Sequence, residues 1–260
     1  MRENAKMKFA SWNVNSLAVR LPQVLQWLAK EQPDVLALQE TKLEDARFPV
    51  AELADAGYHA LYSGQKTYNG VALLAREPPT AAVSAIAGLD DPQRRYLAAD
   101  IGALRVVCVY VVNGQAIGSD KYAWKLRWLE ALHAQLAVEL ARNPQLLVMG
   151  DFNIAPDDRD VHDPATWQDQ VLCSAPERAA LARLLALGLE DSFRQFESGG
   201  GHYSWWDYRQ GAFRRNLGLR IDLILSSSAL RPRLRGARID RTPRGWERPS
   251  DHTPVVLELE

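Results

Sequence analysis

Cysteine, histidine and long apolar runs are all scarce in this chain of 260 residues, which holds two Cys and five His. Two thiols, Cys108 within an apolar stretch and Cys173 ahead of a helical pattern, do not make a disulfide scaffold and read as buried free thiols. With no Cys/His cluster, a zinc or copper centre is not expected. No apolar run approaches the length that spans a bilayer, and the opening Met1-Arg2-Glu3-Asn4-Ala5-Lys6 lacks the apolar core of a signal peptide. A cytoplasmic, soluble protein without a membrane partner is therefore expected. Gly/Ser/Pro-rich linkers, low-complexity tracts and solenoid repeats are missing too, so residues 1–260 read as one domain. Exposed heptads are also absent, and the expected state is a monomer. A net charge of −1 withholds the basic balance of many nucleic-acid binders. From Trp205 to Glu260 there is no lysine, and eleven Arg stand against seven acidic residues, a pattern that suits a solvated surface as well as a phosphate-binding face.

What is present is 47% hydrophobic residues, enough for a full core, and a recurring arrangement of polar groups at the ends of apolar runs. Leu146-Leu147-Val148-Met149 leads into Gly150-Asp151-Phe152-Asn153. Strand side chains alternate between faces, so Asp151 and Asn153 are expected to project into one cleft. A surface turn is the plain alternative, because Gly, Asp and Asn all favour turns. The arrangement recurs, however. Phe9–Trp12 runs into Asn13, Val35–Leu38 into Gln39-Glu40, Ile221–Leu225 carries Asp222, and Ser250-Asp251-His252 precedes Val255–Leu257. Buried carboxylates and amides are costly unless paired or metal-bound, so several at strand ends point to one shared site. Oxygen donors of this kind suit magnesium or manganese.

Leu21, Val24, Leu25 and Leu28 recur at helical spacing after Arg20, with Pro22 suited to a first turn, which predicts a strand–helix–strand unit ending at Val35. Further strands are predicted over Tyr58–Ser63, Gly70–Ala75, Tyr96–Ile101 and Arg105–Val112, the last two joined by a Gly102-Ala103-Leu104 hairpin. Amphipathic helices are predicted over Asp120–Ala141 and Ala175–Leu187, the second ended by Gly188. The order predicts an α/β fold of two mixed β-sheets flanked by helices.

Eight segments together resemble the exonuclease III and abasic-site endonuclease branch of the endonuclease/exonuclease/phosphatase superfamily. They are Trp12–Leu17, Leu38–Lys42, Tyr68–Ala72, Val109–Gly114, Gly150–Pro156, Tyr203–Tyr208, Gly218–Asp222 and Pro249–Pro254, spanning nearly the whole chain in family order. The resemblance implies a four-layer α/β sandwich that hydrolyses phosphodiesters of duplex DNA, at abasic sites or 3′ ends, with a divalent metal. It implies Glu40 as the main metal ligand, Asp251 as a second acidic ligand acting directly or through water, and Asp151 as the group that orients or deprotonates the attacking water or holds a second metal. Asn13 and Asn153 are implied to hold water, metal and phosphate, and His252, oriented by Asp222, to face the phosphate. Tyr110 is implied to donate to the phosphate or the leaving oxygen. Trp205, Trp206, Leu219 and Ile221 resemble the walls of a pocket for a base-less sugar, with Arg220 grouped among the DNA contacts; Asn69 and Asn113 resemble backbone contacts. Each has a plain alternative: Trp205 and Trp206 as core, Tyr110 as strand packing, the amides as turn formers.

Two stretches depart from the family pattern. Val111-Val112-Asn113-Gly114 replaces a Pro-containing segment, and Val161–Cys173 follows no recognisable pattern. Both bear on the balance among abasic-site incision, 3′-blocking-group removal and 3′ to 5′ digestion. A phosphatase or phospholipase of the same superfamily, acting on a non-DNA phosphate ester, is the alternative function. A binding module without catalysis would lack one of Glu40, Asp151, Asn153, Asp222 or His252, and all are present.

Overall fold

The computed structural model describes residues 6–260; Met1–Ala5, most of the segment read as lacking a signal-peptide core, lies outside them. In chain order the elements are β1 (Met7–Asn13), α1 (Leu17–Glu31), β2 (Val35–Gln39), α2 (Val50–Asp55), β3 (His59–Ser63), β4 (Val71–Ala75), β5 (Thr80–Val83), β6 (Tyr96–Ile101), β7 (Leu104–Tyr110) and α3 (Asp120–Arg142). They continue with β8 (Leu146–Asp151), α4 (Pro164–Trp167), α5 (Ala175–Leu185), β9 (Leu189–Asp191), β10 (Trp205–Trp206), β11 (Gly218–Leu219), β12 (Asp222–Ser227), β13 (Leu234–Ile239) and β14 (Val255–Leu259). No helix among the described residues is long and apolar enough to cross a membrane.

Two six-stranded sheets form, in the orders β13-β14-β1-β2-β4-β3 and β5-β6-β7-β8-β12-β9. The pairs β1–β2 and β7–β8 are parallel and the others antiparallel, so both sheets are mixed. The layers follow from the burial pattern. Strands such as Val71–Ala75 and Leu104–Tyr110 are buried along their whole length, which requires cover on both faces. Between the sheets lie Ala37 and the larger Phe9, Leu73, Val106, Met149, Ile224 and Leu257, each of the larger ones contributing roughly 1.5–3 kcal/mol by leaving water. On the outer side of the first sheet, Leu17, Val24, Trp27 and Leu28 of α1 pack on Leu36, Leu38 and Val256. Outside the second, Trp128, Leu132 and Leu136 of α3 and Leu181 and Leu184 of α5 pack on Val107, Val148 and Leu225. This is the four-layer α/β sandwich.

Several boundaries differ from the sequence reading. Helix α1 begins at Leu17, so Pro22 lies inside it rather than in a first turn. Pro22 and Ala18 are both exposed, so the carbonyl that loses its N–H donor can face water. Strand β7 ends at Tyr110, short of Val112, although the Val111 N–H still donates to the Asp151 carbonyl at 2.9 Å. Strand β8 ends at Asp151, and Asn153 has left-handed backbone (φ +49°). Strand alternation therefore does not bring the Asp151 and Asn153 side chains together; a turn does.

Candidate active site

Register places the chemistry. Tyr110 of β7, Asp151 of β8 and Asp222 of β12 are cross-strand partners, a single row over three adjacent strands at one end of the second sheet. In the first sheet Asn13 of β1 stands opposite Gln39 of β2, with Glu40 the next residue. The two sheets bring these ends face to face. Asn13, fully buried, donates through one NH2 group to Glu40 Oε1 and to Asp151 Oδ2, both at 2.9 Å. Asp151 also accepts from the Asn153 backbone N–H at 2.9 Å and from Asn153 Nδ2 at 3.3 Å. Asn113 Nδ2 then donates to Asn153 Oδ1 at 3.1 Å.

His252 closes the row. Its Nδ1 donates to Asp222 Oδ2 at 2.8 Å, and its Nε2 lies 3.7 Å from Asp151 Oδ2. Ser204 fixes Asp222: its hydroxyl donates to Asp222 Oδ2 at 2.7 Å while accepting the backbone N–H groups of Ile221 and Asp222. Burial opposes charge on the His252 ring, but the carboxylates of Asp222, Asp151 and Asp251 outweigh it and raise the pKa to about 10. Burial pushes the Asp151 carboxyl up to about 7, with the His252 charge pulling it down and Asp222 adding to the rise. Burial, and then the Glu40 and Asp151 carboxylates, hold the Tyr110 phenol well above its ordinary value, so it keeps a proton to donate. For Glu40, burial works upward, yet Lys42 at 2.9 Å and the Asn13 hydrogen bond leave the carboxyl below its usual range.

Glu40, Asp151 and His252 offer ligand atoms within 4.8 Å of one another. His252 Nδ1 is taken by Asp222, and the carboxylates of Glu40 and Asp151 are the oxygen donors of the group. Two carboxylates, Asp151 buried and Glu40 half-buried, drawn together by one amide fit a hard divalent cation. Asn13 and Asn153 both turn NH2 groups toward Asp151 and so brace its carboxylate. Asp251 also stands apart from this group: its oxygens accept from Asn15 Nδ2 at 2.9 Å and Trp205 Nε1 at 3.0 Å.

The residues read as DNA contacts divide. Asn69 and Asn113 line one cleft of about 680 Å³ together with Tyr68, Arg95, Lys121 and Trp124. Trp205 is half-buried beside Asp251 and meets Trp167 edge-on at 6.5 Å. Trp206 and Leu219 are fully buried, Trp206 packing against Phe213, and neither presents a surface to a ligand. Arg220 is a correction of another kind. It is 1% exposed, bonds Asp160 and Asp191 at 2.5 and 2.7 Å, and lies over the Phe193 ring, so it serves the fold. Arg220→Met leaves two buried acids short of a counter-charge, and although Arg194 still reaches Asp160, the loss expected in urea denaturation is about 3 kcal/mol. A loss below about 0.5 kcal/mol would deny Arg220 that role.

Sequence reasoning missed Ser204, Lys42 and Asn15. All sit inside or beside recognised segments, but a hydroxyl holding two backbone amides and a carboxylate has no spacing signature of its own.

A model of the Endonuclease/Exonuclease/phosphatase family matches residues 10–252. Exodeoxyribonuclease III from Haemophilus influenzae is 37% identical, over 97% of this chain and 100% of its own length. Among solved structures, the 3′ phosphatase NExo from Neisseria, bound to a product DNA hairpin, is similar at a TM-score of 0.97 and 48% identity, covering 98% of this chain and 99% of that one. An AP endonuclease from Archaeoglobus fulgidus is similar at a TM-score of 0.95 and 37% identity, with 98% and 99% covered.

Proposed function

The chain belongs to the endonuclease/exonuclease/phosphatase family, and we propose on that premise that it is a magnesium-dependent DNA-repair nuclease hydrolysing phosphodiesters at abasic sites and 3′ ends of duplex DNA. The observation that carries the reading is the buried line from Asp222 through His252 to Asp151, facing Glu40 across the two sheets. In this reading Asp151, with its carboxyl raised toward neutrality, aligns the attacking water and takes its proton. The His252 cation and the Tyr110 hydroxyl face the phosphate oxygens, where charge accumulates as the bond to water forms. Glu40 and Asp151 would hold the metal, which when bound neutralises phosphate charge and lowers the pKa of a water molecule. The Asn69–Asn113 cleft, with Arg95 and Lys121, suits the backbone of a strand leading to the site. The chain acts as one domain and as a monomer in this proposal.

The test is incision of a labelled duplex with one abasic-site analogue, beside an undamaged duplex with a recessed 3′ end, first with magnesium and then with EDTA. Cutting at the lesion, trimming of the recessed end, or both is expected with magnesium, and EDTA is expected to abolish it. Trimming alone would restrict the activity to 3′ ends. If neither duplex is cut, the function moves to the phosphatase or phospholipase alternative.

A further inference from the structure

Lys125 lies in α3, outside every recognised segment, and it is fully buried. An ammonium has three N–H donors and no acceptor, and each of the three has a partner here. Nζ donates to the backbone carbonyl of Asn153 at 2.6 Å, to the backbone carbonyl of Asn113 at 3.1 Å, and to the carboxylate of Glu177 on α5. Glu177 is itself fixed, accepting from the backbone N–H groups of Leu172 and Ser174 at 3.0 and 3.1 Å. One group thus ties the loop after β7 and the loop after β8 to a helix start.

We propose that Lys125 is a positioning residue of the catalytic centre, its ammonium holding the Asn113 and Asn153 loops so that Asn153 keeps the Asp151 carboxylate in its working orientation. The inference rests on the nuclease reading above. Asn153 donates both its backbone N–H and its side-chain NH2 to Asp151 from a left-handed conformation that a non-glycine residue adopts at a cost. Something must over-determine that conformation, and the carbonyl of Asn153 is the atom Lys125 grips. The adjoining loop is shaped to the same side chain. At Gly114, φ is +95°, a conformation L side chains rarely adopt, and a Cβ there would press on Lys125 Cδ at 3.1 Å and Val171 Cγ2 at 3.2 Å, tighter than ordinary contact. As an ion pair alone, Lys125–Glu177 could give way to apolar residues of similar volume with little loss or with gain. What an apolar pair could not supply is a donor for the Asn113 and Asn153 carbonyls, and the Asn153 turn would lose its tie.

The experiment compares Lys125→Met, Glu177→Gln and the double variant with the unaltered protein on whichever labelled duplex that protein cuts. The readouts are kcat per folded molecule, KM, and thermal unfolding. Lys125→Met is expected to lower kcat by about 10²-fold with KM changed little, as befits a displaced base. Glu177→Gln, which leaves Lys125 to hold both carbonyls, is expected to lower the melting temperature yet keep kcat within about threefold. The double variant removes the unpaired buried charge and keeps the test open should Lys125→Met fail to fold; it too is expected to show the kcat loss. Wild-type kcat in either Met variant would overturn the proposal. So would an equal kcat loss in Glu177→Gln, which would assign the effect to the ion pair as a part of the fold. An unaltered protein that cuts no duplex would overturn the nuclease reading, and this proposal with it.

Discussion

Asp151→Asn is expected to abolish cleavage, with kcat down by at least about 10³-fold, while affinity for the duplex stays within a few-fold of the original. The substitution keeps the shape and changes the chemistry in two ways. An amide is no base, so the attacking water keeps its proton. It also replaces one acceptor oxygen with a donor, at a position where Asn13 Nδ2, Asn153 Nδ2 and the Asn153 backbone N–H all converge as donors. One of those contacts must break, and the amide rotates or withdraws. Binding survives because the cleft lined by Asn69, Asn113, Arg95 and Lys121 is untouched. Single-turnover cleavage and fluorescence anisotropy on the same labelled duplex separate the two quantities. Turnover within threefold of the original would remove Asp151 from the chemistry.

His252→Ala is expected to lower kcat by about 10³-fold with KM nearly constant, the signature of a contact made more strongly in the transition state than in the ground state. A rise confined to KM would make His252 a binding residue. The same ring sets an expectation for pH. Its pKa is raised to about 10, above the 6.5 of a free imidazole, so the cation is complete below the lower value and is lost only as pH climbs through the higher one. Activity that depends on the cation should therefore persist across the neutral range and fall at strongly alkaline pH. The ring's contribution to stability follows the same sign: present in acid and neutral solution, and lost on the alkaline side as the Asp222–His252 pair is neutralised. A kcat profile that falls through pH 6.5 instead would show that the charge on His252 is not what the phosphate meets.

The layers of the fold were legible because their signals are local. A run such as Leu146–Met149 or the periodic face of α3 announces its structure from neighbours in sequence. The convergence of Asn13, Glu40, Asp151, Asp222 and His252 was legible for a related reason: each stands at the end of a strand, and sheets align strand ends. The reasoning about Asp151 and Asn153 reached the right neighbourhood by the wrong path, since alternation was expected and a left-handed turn does the work. Arg220, read as a DNA contact, defeated the same approach. Nothing near it in sequence shows that Asp160 and Asp191, one 60 positions earlier and the other 29, will enclose it. Lys125 was invisible for the same reason, because on an amphipathic helix a lysine reads as solvent-facing until the partners at Asn153 and Glu177 are known. Asp251 adjoins His252, and its carboxylate is held by Asn15 and by the indole N–H of Trp205, partners that no spacing in the sequence announces.

Strand β1, begun at Met7, lies in the sheet between β2 and β14, which ends at Leu259. Of the described strands β14 comes last in the chain, with His252 just ahead of it. Without that stretch β1 would have an open edge of unpaired backbone groups, and the row of Tyr110, Asp151 and Asp222 would lack its cation. A chain cut short ahead of Ser250 is therefore expected to carry an exposed strand edge and an incomplete site together. Closing the first sheet and completing the row draw on the same segment.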